Sequence, residues 1–288
     1  MTLSVILPFH NSASTIRLQL EALTRQRRDR RWEVIAVDNG STDETRRIVE
    51  GYRAVLPHLR IVEASDRKGP AYARNIGAKA AEGEALAFCD ADDEVDDSWV
   101  GAIGAAILKH GFVASRMDAT KLSTPRALAA KGNKRQQTGL IEYTYVPYLP
   151  FAGACGLGIK KELHEQVGGF DETMEYLEDC DYCWRVQLAG TELNFAPEAL
   201  VHIRHRDDPR GMYRQARNWG EYNVALLKRY QEHGMPKPPL SRGPMLWLRL
   251  LRRLPRVHRQ ADRDKLIWAL GYRVGQVRGS FKHRMFAP

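Results

Sequence analysis

The segment ALAFCDADDEVDD, Ala85 to Asp97, joins a short apolar strand directly to a group of carboxylates. It contains five aspartates in a chain whose net charge is +9: Asp90, Asp92, Asp93, Asp96 and Asp97. Since Asp90 and Asp92 stand two positions apart in a turn, they can converge on one hard divalent cation, Mg²⁺ or Mn²⁺. The structural alternative is a solvated helix start, which suits Asp96 and Asp97 because acids favour the first turn of a helix.

The strand at Ala85 is one of several apolar runs that alternate with helical segments of about a dozen residues. The predicted strands are LSVIL, EVIAV, LRIVEA, EALAFCD and GFVAS, and the predicted helices include Gly69–Ala81 and Asp97–His110. This alternation predicts right-handed βαβ units, and therefore an α/β fold with a mostly parallel sheet flanked by helices. Residues 115–150 lack such periodicity and predict a polar loop.

Unusual polar segments follow three of the predicted strands. Pro8 to Asn11 follow the first, Asp38 to Ser41 the second, and the aspartates the fourth. In open α/β sheets, ligands bind beyond the carboxyl ends of the strands, so these segments predict the binding site. The sequence has neither G-x-G-x-x-G nor G-x-x-x-x-G-K-[ST], which weighs against a dinucleotide or P-loop site.

Composition narrows the class of protein. Hydrophobic residues make up 43% of the 288 residues, which allows one large globular domain or two small ones. No signal peptide and no membrane-spanning run is visible, and four cysteines give no disulfide framework, so we expect a cytoplasmic protein. Cys180 and Cys183 form a C-x-x-C without a second ligand pair, which favours two small residues on a helix over a metal site.

Positive charge is concentrated at the carboxyl end of the chain. Residues 204–288 contain 20 Lys+Arg and 6 Asp+Glu, a balance of +14, and the rest of the chain has −5. In MLWLRLLRRLPRVHRQ, the leucines 246, 250 and 254 fall on one side with Trp247 and Leu251, and the arginines 249, 252, 253 and 256 fall outside. The pattern fits peripheral contact with an anionic membrane, and equally a helix packed on the body; it shows no nucleic-acid recognition motif.

Taken together, these segments resemble the inverting glycosyltransferases of family 2, which have the Rossmann-like GT-A fold. SVILPFHN, VIAVDNGSTDET, GPAYARNIGAKAAEGEALAFCDADD, GGFDE and EDCDYCWRVQLAG occur in the family's order between Leu3 and about His205. The resemblance implies a GT-A domain over 1–207, with a nucleotide-sugar half (about 1–115) and an acceptor half (about 116–207). A basic helical extension, 208–288, follows.

The resemblance also implies roles for individual residues. Asp179 matches the family's catalytic base, with Glu178 beside it to orient or bind the acceptor, and the metal ligands would be Asp92 and His202. The residues expected to bind the nucleotide sugar are Pro8, Phe9, His10, Asn11, Asp38, Arg74, Asn75, Asp90 and Ala91. The cofactor would be Mn²⁺ or Mg²⁺, the donor a UDP- or dTDP-linked sugar, and the acceptor a hydroxyl of a glycan, a lipid-linked molecule or a small molecule.

Structural explanations stand beside these roles. Asp38 can cap its own turn, Arg74 can be a surface helix residue, and Asp179 can cap a helix with Asp181 as a further surface acid. A histidine on a strand, such as His202, is often only packed.

Two other functions also remain open. A sugar nucleotidyltransferase would carry a glycine-rich basic signature that PFHNSAST lacks, and a non-catalytic nucleotide-sugar-binding scaffold would not need Asp38, Asp92 and Asp179 together.

Overall fold

A computed structural model describes most of the chain: residues 1–27, 31–56, 58–239, 241–252 and 257–287. Arg253, Leu254 and Arg256 of the Leu/Arg pattern lie outside the described residues. The chain divides into two compact units. The first unit comprises Met1–Leu122, Lys134–Ile141 and Pro150–Arg204; the second comprises Ser123–Asn133, Glu142–Leu149 and His205–Pro288. The assignment of 1–207 and 208–288 to two domains stays a prediction.

The first unit is built on a mixed eight-stranded sheet in the order β3-β2-β1-β4-β7-β6-β8-β5. Its strands are β1 Leu3–Phe9, β2 Trp32–Asp38, β3 Leu59–Glu63, β4 Ala85–Phe88, β5 Glu94–Val95, β6 Phe112–Asp118, β7 Leu157–Lys160 and β8 Asn194–His202. Strands β3, β2, β1 and β4 are parallel, as are β6 and β8, whereas β7 and β5 pair antiparallel with their neighbours. The predicted α/β class and the five predicted strands are confirmed.

Strand β8 covers most of two apolar runs of the sequence, ELNFA and ALVHI. Its pairing with β6 shifts register between Ser115 and Arg116, where Ala196 and Leu200 are successive partners. Pro197 lies between Ala196 and Leu200, where β8 does not pair with β6. Proline has no N–H to donate to a neighbouring strand. The chain therefore bulges and resumes pairing, so that one strand results where the sequence indicates two.

Helices cover the sheet of the first unit. They are α1 Ile16–Thr24, α2 Thr45–Gly51, α3 Pro70–Ala80, α4 Trp99–His110, α6 Lys161–Gln166 and α7 Glu178–Leu188. Helix α3 begins at Pro70, and a proline in the first turn costs no hydrogen bond because the N–H there has no partner within the helix. Helix α4 is followed directly by Gly111, whose φ of 79 ends the helix. Strands β1, β2 and β4 are almost entirely buried, which explains why they read as continuous apolar runs.

The second unit is helical, as predicted for the C-terminal region. Its helices are α5 Pro125–Lys131, α8 Pro209–Tyr230, α9 Arg242–Leu251 and α10 Gln260–Lys282. Helix α5 lies within the predicted polar loop, where Thr124 accepts a hydrogen bond from the amide of Ala127 and Pro125 occupies the first turn. Helices α8 and α10 approach closely at glycines: a Cβ on Gly275 would overlap the carbonyl oxygen of Arg217. None of the described helices is long and apolar enough to cross a membrane.

Candidate active site

The carboxyl ends of β1, β2 and β4 meet at one edge of the sheet. Phe9 at the end of β1 pairs with Asp38 at the end of β2, and Ile6 of β1 pairs with Phe88, the last residue of β4. The segments singled out in the sequence therefore follow neighbouring strands at the same edge.

The loop after β1 is tied to the loop after β2 by Asn11, which has a left-handed backbone with φ 47. Its Oδ1 accepts hydrogen bonds from the amides of Thr42 (2.8 Å) and Asp43 (3.3 Å). His10 is exposed and Phe9 is buried in the core. The Phe9 side chain therefore serves the fold, and its carbonyl accepts a hydrogen bond from the amide of Asn39 at 2.9 Å.

Asp38 is a buried carboxylate that organises its own turn. One oxygen accepts from the amide of Ser41 at 2.8 Å, and the other is 3.4 Å from the guanidinium of Arg46. The next residue, Asn39, accepts from the amide of Gly69 at 2.8 Å and so holds the start of α3. The turn-capping explanation of Asp38 is thus present in the structure, and it leaves the nucleotide-binding role a prediction.

Arg74 of α3 connects the two halves of the candidate site. Its guanidinium donates to Asp90 at 2.8 Å and to Glu178 at 2.9 Å, and the side chain is only 4% exposed. Burial opposes the charge, but the two carboxylates outweigh it and raise the pKa of Arg74 above its ordinary value. Arg74 is therefore a buried bridge from Asp90 to Glu178, which lies 104 residues after Arg74 in the chain, and its interpretation as a surface residue is wrong.

Asn75 and Ala91 have clear structural roles. The side-chain Nδ2 of Asn75 donates a hydrogen bond to the carbonyl of Phe170, and its Oδ1 accepts one from the N–H of Phe170, both at 2.8 Å. These two bonds fix the GGFDE segment beside α3. Ala91 is buried in the main core. Their predicted contact with the nucleotide sugar stays a prediction.

Glu178 and Asp179 form the first turn of α7. Burial and the neighbouring Asp179 charge raise the pKa of Glu178 to about 7, while Arg74 opposes the rise. Burial also raises the pKa of Asp179, against the charge of Arg135 and a hydrogen bond from the amide of Cys180. The preceding residue, Leu177, is buried with φ 59, a left-handed conformation that a branched side chain rarely adopts. Shifted pKa values and backbone strain together are typical of active sites.

Asp181 differs from the surface acid expected. It is fully buried on α7 and pairs with Arg185 at 2.7 Å, one turn further along. Arg185 also donates to the carbonyl of Val167 at 2.7 Å. Asp181 therefore holds α7 to the preceding segment and is not solvent-exposed.

The aspartates after β4 have different environments. Asp92 is exposed, Asp93 is buried and Asp90 lies between these extremes. Burial and the charges of Asp92 and Asp90 raise the pKa of Asp93 well above its usual range. Asp96 accepts a hydrogen bond from Ser98 just before α4, which fits the helix-start explanation. Asp97 instead pairs with Arg25 of another segment at 2.8 Å.

Oxygen ligands for a hard cation are present at this cluster. In the part of the chain that the structure describes, oxygens of Asp90 and Asp93 lie within 4.8 Å of each other and of the Cys155 sulfur. Asp92 and His202 are not members of that group. His202 on β8 is partly buried, burial lowers its pKa, and its Nδ1 is a buried atom without a hydrogen-bond partner among the described residues. The mutually repelling carboxylates of Asp90 and Asp93 fit a bound divalent cation. The charged groups that act on His202 are instead Lys121, Glu94, Asp118 and Asp96.

Sequence reasoning missed three neighbours of the site: Asp93, Cys155 and Arg135. Asp93 lay within the quoted segment, but nothing in the sequence indicates that it is the buried member. Arg135 stands in the segment 115–150, which lacks periodicity, and Cys155 follows that segment; only the fold brings these two residues near the acids.

Comparison with known proteins gives two family matches. The model described as Glycosyl transferase family 2 matches residues 4–168, more than half of the chain, and Glycosyl transferase family group 2 matches 140–254. The chain is 28% identical over 255 residues to the pre-mycofactocin glycosyltransferase of Mycobacterium tuberculosis, covering 85% of this chain and 52% of that protein. It is 27% identical to the glycosyltransferase AglE of Haloferax volcanii, covering 68% and 65% respectively. The chain thus spans about half to two thirds of the length of these relatives.

Solved structures share the fold. Residues 1–349 of S. aureus TarS in complex with UDP superpose with a TM-score of 0.55 at 21% identity, over 100% of this chain and 93% of that one. The mannosyltransferase PcManGT of Pyrobaculum calidifontis, in complex with GDP-Man and Mn²⁺, gives 0.60 at 19% identity, over 97% and 75%. The predicted GT-A fold is confirmed.

Proposed function

Because the chain belongs to glycosyl transferase family 2, we propose that it moves a sugar from a nucleotide-diphosphate sugar to an acceptor hydroxyl with inversion at the anomeric carbon. The observation that carries the proposal is the buried Arg74 bridge. It joins Asp90, at the edge where the nucleotide sugar is expected, to Glu178, the neighbour of the proposed base Asp179.

Asp179 supplies the proton acceptor that a single displacement needs. It takes the proton of the acceptor hydroxyl while that oxygen bonds to the anomeric carbon, and the bond from that carbon to the diphosphate breaks with its electron pair on the diphosphate. A buried carboxylate with a raised pKa is a stronger base than one in water, which supports this role. Arg74 holds Glu178 in place and thereby fixes the first turn of α7.

The donor binds along the edge formed by β1, β2 and β4. Asp38 is the carboxylate for the base or ribose, and the backbone of residues 8–11 lines the nucleotide. TarS has been crystallised with UDP and PcManGT with GDP-Man, so the donor panel includes uridine, thymidine and guanosine diphosphate sugars. A thermal-shift screen of these sugars in Mn²⁺ tests donor binding, because a ligand that binds the folded state raises the melting temperature.

Asp92 and His202 are the residues that would hold Mn²⁺ or Mg²⁺. The carboxylates of Asp90 and Asp93, in the same turn as Asp92, support a cation beside Asp92, and the unsatisfied Nδ1 of His202 leaves that nitrogen able to bind a metal. A bound cation would neutralise the charge that develops on the departing diphosphate.

Replacing Asp92 with alanine should weaken binding of the nucleoside diphosphate in Mn²⁺ and should change it much less in EDTA. The reason is that Asp92 would act on the nucleotide only through the cation. Isothermal titration calorimetry with UDP and GDP measures the effect, and Asp97→Ala, which removes an acid paired with Arg25, is the matched control. Equal nucleotide affinity of the wild-type protein with and without EDTA would contradict the metal role.

The C-terminal helices include a proposed membrane contact through α9. Leu250 of this helix is buried, while Leu248 and Leu251 are 47% and 56% exposed, with Arg249 and Arg252 exposed beside them. The helix thus has one apolar face that is buried and a second apolar face that is exposed to solvent beside two arginines. Helices that lie on anionic bilayers have such an exposed apolar face next to positive charges. We propose that this open face contacts anionic lipid, which suits a lipid-linked acceptor.

Substituting glutamate for both Leu248 and Leu251 should reduce binding to vesicles that contain anionic lipid, as should raising the salt concentration. Point changes are preferable to a deletion, because removing α10 would uncover the face of α8 against which its glycines pack. Co-sedimentation measures the effect, with Leu188→Glu, an exposed leucine of α7 in the first unit, as control. Vesicle binding that is unchanged in the double variant would remove this contact from the account.

A further inference from the structure

Three buried polar atoms of α10 have no hydrogen-bond partner among the described residues. They are Nη1 of Arg273 and both Nε2 and Oε1 of Gln276. Residues three positions apart are neighbours on a helix surface, so these two side chains lie next to each other. Gln276 is only 1% exposed, and Arg273 is half-buried. Because buried polar groups are almost always paired, unpaired groups at one place indicate that something other than the chain completes their hydrogen bonds.

Arg273 also lacks a neutralising carboxylate. Among the described residues, the groups whose charges act on it are Tyr272, Tyr145 and Arg242. Burial lowers the pKa of Arg273, and the neighbouring charge of Arg242 lowers it further. An arginine nevertheless stays protonated at neutral pH, so this side of α10 has a half-buried positive charge. Charges in such places are normally paired, which favours an anion as the missing partner.

Arg242 adds a second cation near this place. It is the first residue of α9, which packs against α10. Its guanidinium donates to the carbonyl of Thr144 at 2.8 Å and lies 5.4 Å from the centre of the Tyr145 ring. Burial raises the pKa of Tyr145 to about 12, and the charges of Arg273 and Arg242 both oppose that rise. The two guanidiniums repel each other, and a bound anion would relieve the repulsion.

We propose that Arg273 and Gln276 bind a phosphate group that carries a hydroxyl: inorganic phosphate or a phosphate monoester. Phosphate oxygens accept hydrogen bonds from the Arg273 guanidinium and from Nε2 of Gln276, and the phosphate hydroxyl donates to Oε1 of Gln276. All three unpaired atoms are then satisfied. A phosphate diester or sulfate has no hydroxyl and leaves Oε1 unpaired.

This site is separate from the candidate active site. Arg273 and Gln276 belong to the second unit of the fold, whereas Asp90, Glu178 and Asp179 belong to the first. The proposal therefore does not rest on the proposed function, and its test needs no sugar donor.

The first measurement is the melting temperature of the full chain in inorganic phosphate and in sulfate of the same ionic strength. The pH is 6, close to the second pKa of a phosphate monoester, so that the hydroxyl is present. Sulfate corrects for the general stabilisation that both salts give by exclusion from the protein surface. The wild-type protein should melt at a higher temperature in phosphate, because a ligand that binds the folded state stabilises it. Isothermal titration calorimetry with inorganic phosphate gives the affinity.

Two substitutions test the site itself. Arg273→Gln should bind inorganic phosphate about tenfold more weakly or worse, because a hydrogen bond to a charged group is lost. Gln276→Leu should lose the rise in melting temperature in phosphate. In phosphate-free buffer the same variant should resist urea at least as well as the wild-type protein, because it removes two unpaired buried atoms.

The matched control is Arg278→Gln, which makes the same change of charge on the same helix. Arg278 is 52% exposed and pairs with Glu221 at 3.4 Å, so its replacement should leave the phosphate affinity unchanged. Equal phosphate affinities of Arg273→Gln and Arg278→Gln would overturn the proposal. So would a wild-type protein that melts at the same temperature in phosphate and in sulfate.

Vesicles identify the source of the phosphate group. Phosphatidic acid is a phosphate monoester and phosphatidylglycerol a diester, so co-sedimentation with the two lipids compares them at pH 6. A preference for phosphatidic acid that is lost in Arg273→Gln would assign the site to a lipid headgroup. Equal co-sedimentation with both lipids, together with binding of inorganic phosphate, would assign it to a soluble phosphate compound.

Discussion

Replacing Asp179 with asparagine should lower kcat for sugar transfer by about 10²- to 10⁴-fold, the usual contribution of a general base. Asparagine keeps the shape and the hydrogen bond from the amide of Cys180 but cannot take the proton of the acceptor hydroxyl. Affinity for the donor should stay nearly constant, because the donor is expected along the edge near Asp38 and Asp92. Single-turnover transfer measurements and donor titrations separate the two effects.

The matched control is Glu162→Gln, which makes the same carboxylate-to-amide change at a side chain that is 74% exposed on α6. Asp181→Asn is a poor control, because Asp181 is buried and neutralises Arg185; its replacement should destabilise the fold. Transfer by Asp179→Asn at the wild-type rate would exclude Asp179 as the base.

Replacing Arg74 with glutamine should lower the free energy of unfolding by about 3–5 kcal/mol, the cost of breaking a buried ion pair from one side. The substitution leaves the carboxylates of Asp90 and Glu178 without their shared cation. The lost ion pairs are buried, since the Arg74 side chain is only 4% exposed. Urea denaturation followed by tryptophan fluorescence measures the loss.

The loss should depend on pH in a defined direction. Glu178 has a pKa of about 7, raised by burial, so below that pH it is increasingly protonated and needs its cation less. The difference between Arg74→Gln and the wild-type protein should therefore be larger at pH 8 than at pH 5.5.

Arg67→Gln is the control for this experiment, since Arg67 pairs with Glu172 at 2.9 Å but is 70% exposed. Exposed pairs contribute about 0–1 kcal/mol. Equal losses in Arg67→Gln and Arg74→Gln would show that the buried bridge is not a structural link between the halves of the site.

The parallel half of the sheet was predictable because three of its four strands, β1, β2 and β4, are almost entirely buried. β1, β2 and β4 therefore read as continuous apolar runs, and the helices between them have their own periodicity. β7 was not predictable, because LGIK is short and its antiparallel place between β4 and β6 is set by contacts distant in sequence.

The candidate site shows the same division. The family resemblance could point to the aspartate cluster, to Asp38 and to Glu178-Asp179. These residues lie at the ends of strands or at the start of a helix that the sequence indicates. The Arg74 bridge and the hydrogen bond from the Gln136 side chain to the carbonyl of Ser115 join residues far apart in the chain, and only tertiary packing decides their partners. In α9 the sequence predicts one apolar side, whereas the structure has Leu250 covered and Leu248 exposed, because two faces of that helix are apolar.

The central claim, that the chain transfers a sugar from a nucleotide-diphosphate sugar, is tested most directly by the phosphorus product. The protein is incubated in Mn²⁺ with UDP-, dTDP- and GDP-sugars, and separately with nucleoside triphosphates and sugar phosphates, and the products are resolved by ³¹P NMR. The account predicts a free nucleoside diphosphate from one of the nucleotide sugars, with Asp179→Asn releasing far less. Pyrophosphate from the second incubation would identify a sugar nucleotidyltransferase, and no product in either, despite binding of a nucleotide sugar, would identify a non-catalytic binding protein; both results would contradict the account.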